Sequence, residues 1–314
     1  MSNIKNNIIR FLALLLFGTT LGQQDPQFTQ YLYNLSVINP AYTTNELGLV
    51  KFGALYRSQW ANTVGAPTSM TFFGHASINE KIETGISIIS DNIGDGVVRE
   101  NNVFADFAYI VKLDTKSNLT LGLKGGFTNF DTNFNGFLLP EFQDDTAFNQ
   151  NLNSIFPNLG AGAIYQREKL YAGVSVPNLL NSTHLENQNG IQKIGSEETH
   201  FFLIGGYVFN LTSDIKIKPS FLAKLVNGSP ATIDFSVNAL FNEKLEGGIS
   251  YRNQDAVIAT FNVKVMPAIR IGYAYDYTLS NLGSFSSGSH EVFALFDLNI
   301  LGIKSGYDKS PRFY

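Results

Sequence analysis

From about residue 49 onward the chain divides into about fourteen short stretches in which apolar and polar residues alternate. Residues 268–277 show the pattern. Ile269, Ile271, Tyr273, Tyr275 and Tyr277 fall on one side, and Ala268, Arg270, Gly272, Ala274 and Asp276 on the other. Successive side chains of a strand point to opposite faces, so one face is greasy and aromatic while the other is small or charged. A greasy face of that kind needs an apolar neighbour, either a second sheet or a lipid bilayer.

The alternating stretches cover residues 49–57, 68–78, 82–91, 97–111, 118–128, 158–167, 169–176, 199–210, 213–224, 231–241, 244–251, 255–265, 268–277 and 288–300. A tilted strand needs about 9–11 residues to cross a bilayer, and most of these have that length. Strands of soluble sandwiches run nearer to about 5–6 residues. In 118–128, Leu119, Leu121, Leu123 and Phe127 oppose Thr120, Lys124 and Thr128. In 213–224, Ile215, Ile217 and Phe221 oppose Lys216, Lys218 and Lys224, and in 231–241 Phe235 lies opposite Asp234. Lysines on the second face suit a wet lumen and not the dry interior of a sandwich. The first face carries Tyr109, Tyr207 and Tyr251, rings that suit the boundary between lipid and water.

The connections alternate in length as well. Tight turns fall around 79–81, 166–169, 211–213, 242–243 and 266–267, with a slightly longer one at 112–117, and longer loops at 58–67, 92–96, 129–157, 177–198 and 278–287. Outer-membrane barrels have short periplasmic turns and longer outer loops. The expected fold is all-β, an outer-membrane antiparallel β-barrel of about fourteen strands over residues 49–300, with both chain ends in the periplasm.

What precedes and follows the barrel reads differently. Residues 1–22 have the form of a signal peptide, with Lys5 and Arg10 before an apolar run from Phe11 to Phe17, then small residues Thr20 and Gly22. Residues 23–48 lack alternation and read as an irregular periplasmic or plug segment, and 301–314 as a C-terminal periplasmic tail. The absence of cysteine removes disulfides and thiolate chemistry, and a net charge of −4 gives no footprint for nucleic acid. His75, His184, His200 and His290 lack metal-ligand spacing, and Asp144-Asp145 and Glu197-Glu198 are adjacent loop carboxylates. The expectation is a protein that is not an enzyme, with no catalytic, cofactor-binding or metal site.

Several motifs in order carry a resemblance. Gln24-Asp25-Pro26-Gln27-Phe28-Thr29-Gln30-Tyr31 is followed by Asn39-Pro40-Ala41-Tyr42, then Tyr56-Arg57-Ser58-Gln59-Trp60 with Gly65-Ala66-Pro67. Ser90-Asp91-Asn92-Ile93-Gly94, Tyr251-Arg252, Ile271-Gly272-Tyr273-Ala274-Tyr275-Asp276 and Gly288-Ser289-His290-Glu291 complete it. Over nearly the whole mature chain the sequence resembles the PorP/SprF family, outer-membrane barrels of the type IX secretion and gliding machinery. The resemblance implies anchoring or assembly of a secreted adhesin with a C-terminal sorting domain, contact with a periplasmic secretion-ring lipoprotein, or both. An outer-membrane pore or transporter for a small or apolar solute is the alternative.

Three sets of residues are singled out. Arg57, Asp91, Lys124, Asp234, Arg252, Arg270, Asp276 and Glu291 are candidate lumen charges, with Arg57 and Arg252 expected to pair with Asp91, Asp276 or Glu291. Asp25, Pro26, Phe28, Tyr31, Asn39, Pro40 and Tyr42 mark a plug or partner segment, with Asn39 to Tyr42 placed inside the barrel near its periplasmic mouth. Trp60 and Pro67 are candidates for an interface or loop role.

Overall fold

The computed structural model describes residues 28–42, 48–134, 151–180, 199–226 and 229–299. Residues 1–22, Asp25, Pro26, the 301–314 tail and the loop segment 181–198 lie outside the described residues. The strands are β1 (Leu49–Ser58), β2 (Thr68–Asn79), β3 (Ile82–Ile93), β4 (Val98–Lys112), β5 (Ser117–Thr132), β6 (Asn153–Arg167) and β7 (Leu170–Val176). They continue as β8 (His200–Tyr207), β9 (Phe209–Asn210), β10 (Ile215–Val226), β11 (Thr232–Phe241), β12 (Leu245–Arg252), β13 (Ala256–Met266), β14 (Ile269–Thr278) and β15 (Ser289–Asn299).

Every strand pairs antiparallel with its neighbours, and β15 pairs with β1, so the sheet closes on itself. Both β8 and β9 pair with β10. They are one stave broken at Val208, whose amide donates to the Lys169 carbonyl at 2.9 Å. The wall is therefore a closed barrel of fourteen staves. Closure leaves no free edge between the first and last strands.

One sequence boundary needs correction. The segment 129–157 reads as loop, but β5 runs on to Thr132 and β6 starts at Asn153, with Asn129 opposite Ile155 and Asp131 opposite Asn153. Polar residues occupy both faces at these long-loop ends, which erases the alternation that marks the strands elsewhere.

Burial follows the two-residue period. In β14, Arg270, Gly272, Ala274 and Asp276 are buried, while Ile271, Tyr273 and Tyr277 are exposed. The outer face leaves Ile249 68% and Leu123 63% exposed, and similar side chains continue around the wall with nothing packed over them. An apolar belt of that extent is a lipid-facing surface. No described helix is long and apolar enough to cross a membrane, so the strands do the crossing.

Barrels of about eight strands can be filled by their own side chains, whereas about sixteen leave a channel. Here residues 28–42 fill the space. They form a 3-10 turn, Tyr31–Tyr33, and the one-turn helix α1, Leu35–Ile38. Tyr31, Leu32, Leu35, Ala41 and Tyr42 pack on Ile164, Tyr171, Phe202, Ile204 and Leu222 of one wall. Phe28, Tyr33 and Val37 pack on Leu55, Phe73, Phe104 and Phe293 of another. A segment touched on all sides has no single buried face, which is why its sequence shows no period.

Two inward glycines let the plug backbone approach the wall. A Cβ at Gly122 would lie 2.1 Å from the Ala41 nitrogen, and one at Gly162 would lie 2.2 Å from Asn39 Oδ1. Asn39 Nδ2 donates to the Val174 carbonyl at 3.2 Å, and its Oδ1 accepts the Ala41 amide at 3.0 Å. Gly122, Gly162 and Val174 lie four or five residues from the short-turn ends of β5, β6 and β7. The Asn39-Pro40-Ala41-Tyr42 turn thus sits part-way along the lumen and not at its mouth, because the glycines that admit it are there.

The folded barrel should migrate faster on an unheated detergent gel than after boiling, and equal mobility would be incompatible with this fold. Gly122→Val forces the Ala41 backbone away from the wall at a cost of about 1–3 kcal/mol. It should lower the temperature of the mobility shift by a few degrees.

Candidate functional site

The end of the lumen nearer the long loops holds a string of buried charges. Arg57 stands next to last on β1, Asp276 two residues from the end of β14, and Glu291 two residues into β15. The two-residue period points all three inward. Arg57 Nη2 donates to Asp276 Oδ2 at 2.9 Å, and Nη1 lies 3.3 Å from Glu291 Oε2. Arg252, on β12, grips Asp234 of β11 through Nε at 3.0 Å and Nη2 at 2.9 Å. Its Nη1 reaches Asp276 at 3.6 Å and Asp255 at 3.5 Å. The signs therefore alternate along Glu291, Arg57, Asp276, Arg252 and Asp234. Glu291 is 0% and Arg252 1% exposed. Isolated charges at such depth would be very costly, and the alternation compensates each one.

The plug completes this string. The amides of Thr29 and Gln30 donate to the two carboxylate oxygens of Glu291 at 2.8 and 2.7 Å. Thr29 Oγ1 donates to Asp276 Oδ2 at 2.6 Å and accepts from Arg57 Nη1 at 2.8 Å. Toward the other end of the lumen, the Tyr33 hydroxyl donates to Glu246 of β12 and accepts from Asn262 Nδ2. Asn238 Nδ2 also donates to Glu246, at 2.8 Å, and Arg270 Nη1 stands 3.9 Å from it. Across the barrel, Lys124 Nζ donates to the Ser36 and Val37 carbonyls at 3.0 and 3.3 Å and faces Asp106 at 3.4 Å.

These positions differ from the sequence expectation in two respects. Asp91 pairs with neither arginine; it accepts a hydrogen bond from Ser69 Oγ at 2.5 Å. It lies on β3, across the lumen from the strands that carry Arg252, and the carboxylates of β14 and β15 are the ones within reach of Arg57. Lys124 is not bathed in an open lumen either. Lys124 meets plug carbonyls, and Lys51 meets Asp297 at 3.3 Å. The same residue type suits a wet lumen and a lumen filled by a polar backbone.

Thr29, Gln30, Tyr33, Asp106, Glu246 and Asp255 belong to the site but were not singled out from the sequence. For Tyr33 the available signal was an aromatic residue in a segment otherwise rich in Asn and Gln. Phe28, Tyr31, Asn39 and Tyr42 are buried in the lumen. Trp60 and Pro67 bound the loop after β1. The Trp60 amide donates to Ser289 Oγ at 3.1 Å, and the Pro67 carbonyl accepts the Gln59 amide at 3.0 Å. No cluster of three or more His, Asp or Glu among the described residues could hold a metal ion.

A family model described as type IX secretion system membrane protein PorP/SprF matches residues 20–296. The chain belongs to the PorP/SprF family. Among curated proteins none matches it. The TodX deltaS2S3 mutant, a monoaromatic hydrocarbon channel, superposes with a TM-score of 0.51 at 9% identity, over 85% of this chain and 94% of that one. Omp33 of Acinetobacter baumannii gives 0.47 at 8%, over 81% and 100% of the two chains. The toluene transporter TodX of P. putida gives 0.49 at 9%, over 85% and 94%. At such identity the TodX mutant shows a shared outer-membrane barrel fold and nothing about what passes through it. This PorP/SprF protein is thus a type IX secretion membrane protein built on an outer-membrane barrel.

Ion pairs at the short turns behave differently from those in the lumen. Lys116 Nζ is 2.7 Å from Glu168 and Lys112 is 2.8 Å from Glu80, both pairs in the open. The hydrogen bond from Lys116 holds the Glu168 carboxyl below its usual range. Water screens such pairs, so Lys116→Ala should leave the mobility-shift temperature unchanged. Arg57→Ala strands two buried carboxylates and should cost about 3–5 kcal/mol. Detergent-gel melting of the two variants side by side checks the contrast.

Proposed function

We propose that this PorP/SprF protein is a non-enzymatic outer-membrane subunit that anchors or assembles a secreted adhesin at the cell surface, contacts a periplasmic ring lipoprotein of the secretion machinery, or does both. The short turns face the periplasm and the long loops face outward, which offers one docking surface on each side of the membrane. The observation that carries this reading is the filled lumen. Residues 28–42 are fixed to the wall by buried charge, apolar packing and hydrogen bonds at Glu291, Glu246, Lys124 and Val174. A lumen so occupied favours work done at the rims over passage of a solute.

Family membership supports a place in type IX secretion; the adhesin and the ring lipoprotein are this reading's own. The test is a pull-down of the tagged protein from native outer membranes in mild detergent, with co-purifying chains identified by mass spectrometry. A large secreted adhesin or a ring lipoprotein at near-stoichiometric level is expected. Recovery of the barrel alone, together with steady current through it in planar bilayers, would replace the anchor by a solute pore.

A further inference from the structure

The seam between β15 and β1 differs from every other seam in the wall. Each other pair of neighbouring staves is joined by a chain connection. The first and last strands are held only by non-covalent contacts, between residues as far apart in sequence as Arg57 and Glu291, 234 positions. Bringing such distant segments together carries the largest loop-closure cost in the barrel. Ten backbone pairs form this seam, and Arg57 sits directly opposite Glu291 in its register.

The plug lands on this same pair. Glu291 of the last strand accepts both the Thr29 and Gln30 amides, and Gln30 Nε2 approaches the Glu291 carbonyl at 3.4 Å. The Thr29 hydroxyl accepts from Arg57 of the first strand and donates to Asp276 of β14, the neighbour of the last strand. One hydroxyl therefore bridges the two sides of the only seam between described strands that lacks a direct chain connection. If β1 parts from β15, Arg57 leaves both carboxylates, and Thr29 loses its donor. If the plug departs, Glu291 loses two amide donors at full burial.

We propose that Thr29 and Gln30 staple the β15–β1 seam, so that undocking of the plug and opening of the barrel at this seam are one event and the first step of unfolding. The coupling follows from shared partners, since groups in one buried hydrogen-bond network do not contribute independently. It is separate from the docking reading above and stands whichever partner the rims bind.

The test uses the full chain, whose lack of cysteine makes introduced pairs unambiguous. Ala54 and Ala294 face each other across the seam, and Ala105 and Gly125 do so between β4 and β5. The readout is the half-time of conversion to the slow-migrating band in detergent at a fixed temperature. Thr29→Val should shorten it about tenfold, as loss of hydrogen bonds to charged groups implies, and Thr29→Ser should not. With Ala54→Cys and Ala294→Cys oxidised, the shortening should vanish. With Ala105→Cys and Gly125→Cys oxidised, it should persist. Should Thr29→Val fail to fold unaided, only the seam-locked form should give the fast band. A tenfold shortening that survives the seam lock, or no effect of Thr29→Val, would overturn the staple.

Discussion

Arg57 lies between two carboxylates that water does not reach, and much of the molecule is arranged around that fact. Two buried carboxylates as close together as Asp276 and Glu291 call for a cation between them, and Arg57 is that cation. Arg57 reaches both only because β1 closes against β15, so the charge balance is met only by a closed barrel. Arg57 Nη1 also donates to the Thr29 hydroxyl of the plug, and Glu291 accepts the plug amides of Thr29 and Gln30. Sheet closure, charge compensation and lumen filling thus meet at one cluster. Arg252 extends it through Asp276 to Asp234, which spreads the compensation over β11, β12, β14, β15 and β1.

Much of the wall was legible in the sequence because strand alternation is a local signal. Ile271, Tyr273 and Tyr277 against Arg270 and Asp276 identify a two-sided strand without reference to any other segment. Elements without a local signal were not legible. At Asn129–Thr132 and Asn153–Pro157 each face mixes polar with apolar residues, so paired strands read as loop. Inside the barrel, Phe73, Phe104 and Phe293 point inward among polar neighbours, because they pack on a plug that is remote in sequence. The consecutive Phe72 and Phe73 blur the alternation of β2 for the same reason. Arg57, Arg252, Asp276 and Glu291 stood out as charges on strand faces. Which of the expected carboxylates each arginine meets was not legible, since register around a closed sheet depends on every connection between them. Thr29 lay within a resemblance motif but gave no chemical signal of its own, since a threonine becomes the centre of a network only when three strands converge on it.

The likeness to TodX and the membership in the PorP/SprF family bear on different layers of the molecule. The wall is a generic solution to the problem of crossing lipid with strands, so it is shared at 9% identity. What occupies the lumen is encoded by a few residues: the glycines at 122 and 162 that admit a backbone, and the inward charges that hold it. A barrel of this size can conduct or be closed according to those few positions. Its membership in a secretion family therefore says more about its work than its outline does.

The loops at the long-loop end are tied to the same strands as the charge cluster. The Ala61 amide donates to the Gly288 carbonyl at 2.8 Å, Ser287 returns a bond to Ala61 at 3.0 Å, and Asn62 Nδ2 donates to Ser287 Oγ at 2.8 Å. This joins the loop after β1 to the loop before β15. In mechanical terms, a pull applied to either loop is divided between two strands that run side by side along the direction of tension. Their ten backbone pairs are then strained together in shear instead of being unzipped one after another, and the arginine–carboxylate cluster lies directly beneath the point of attachment.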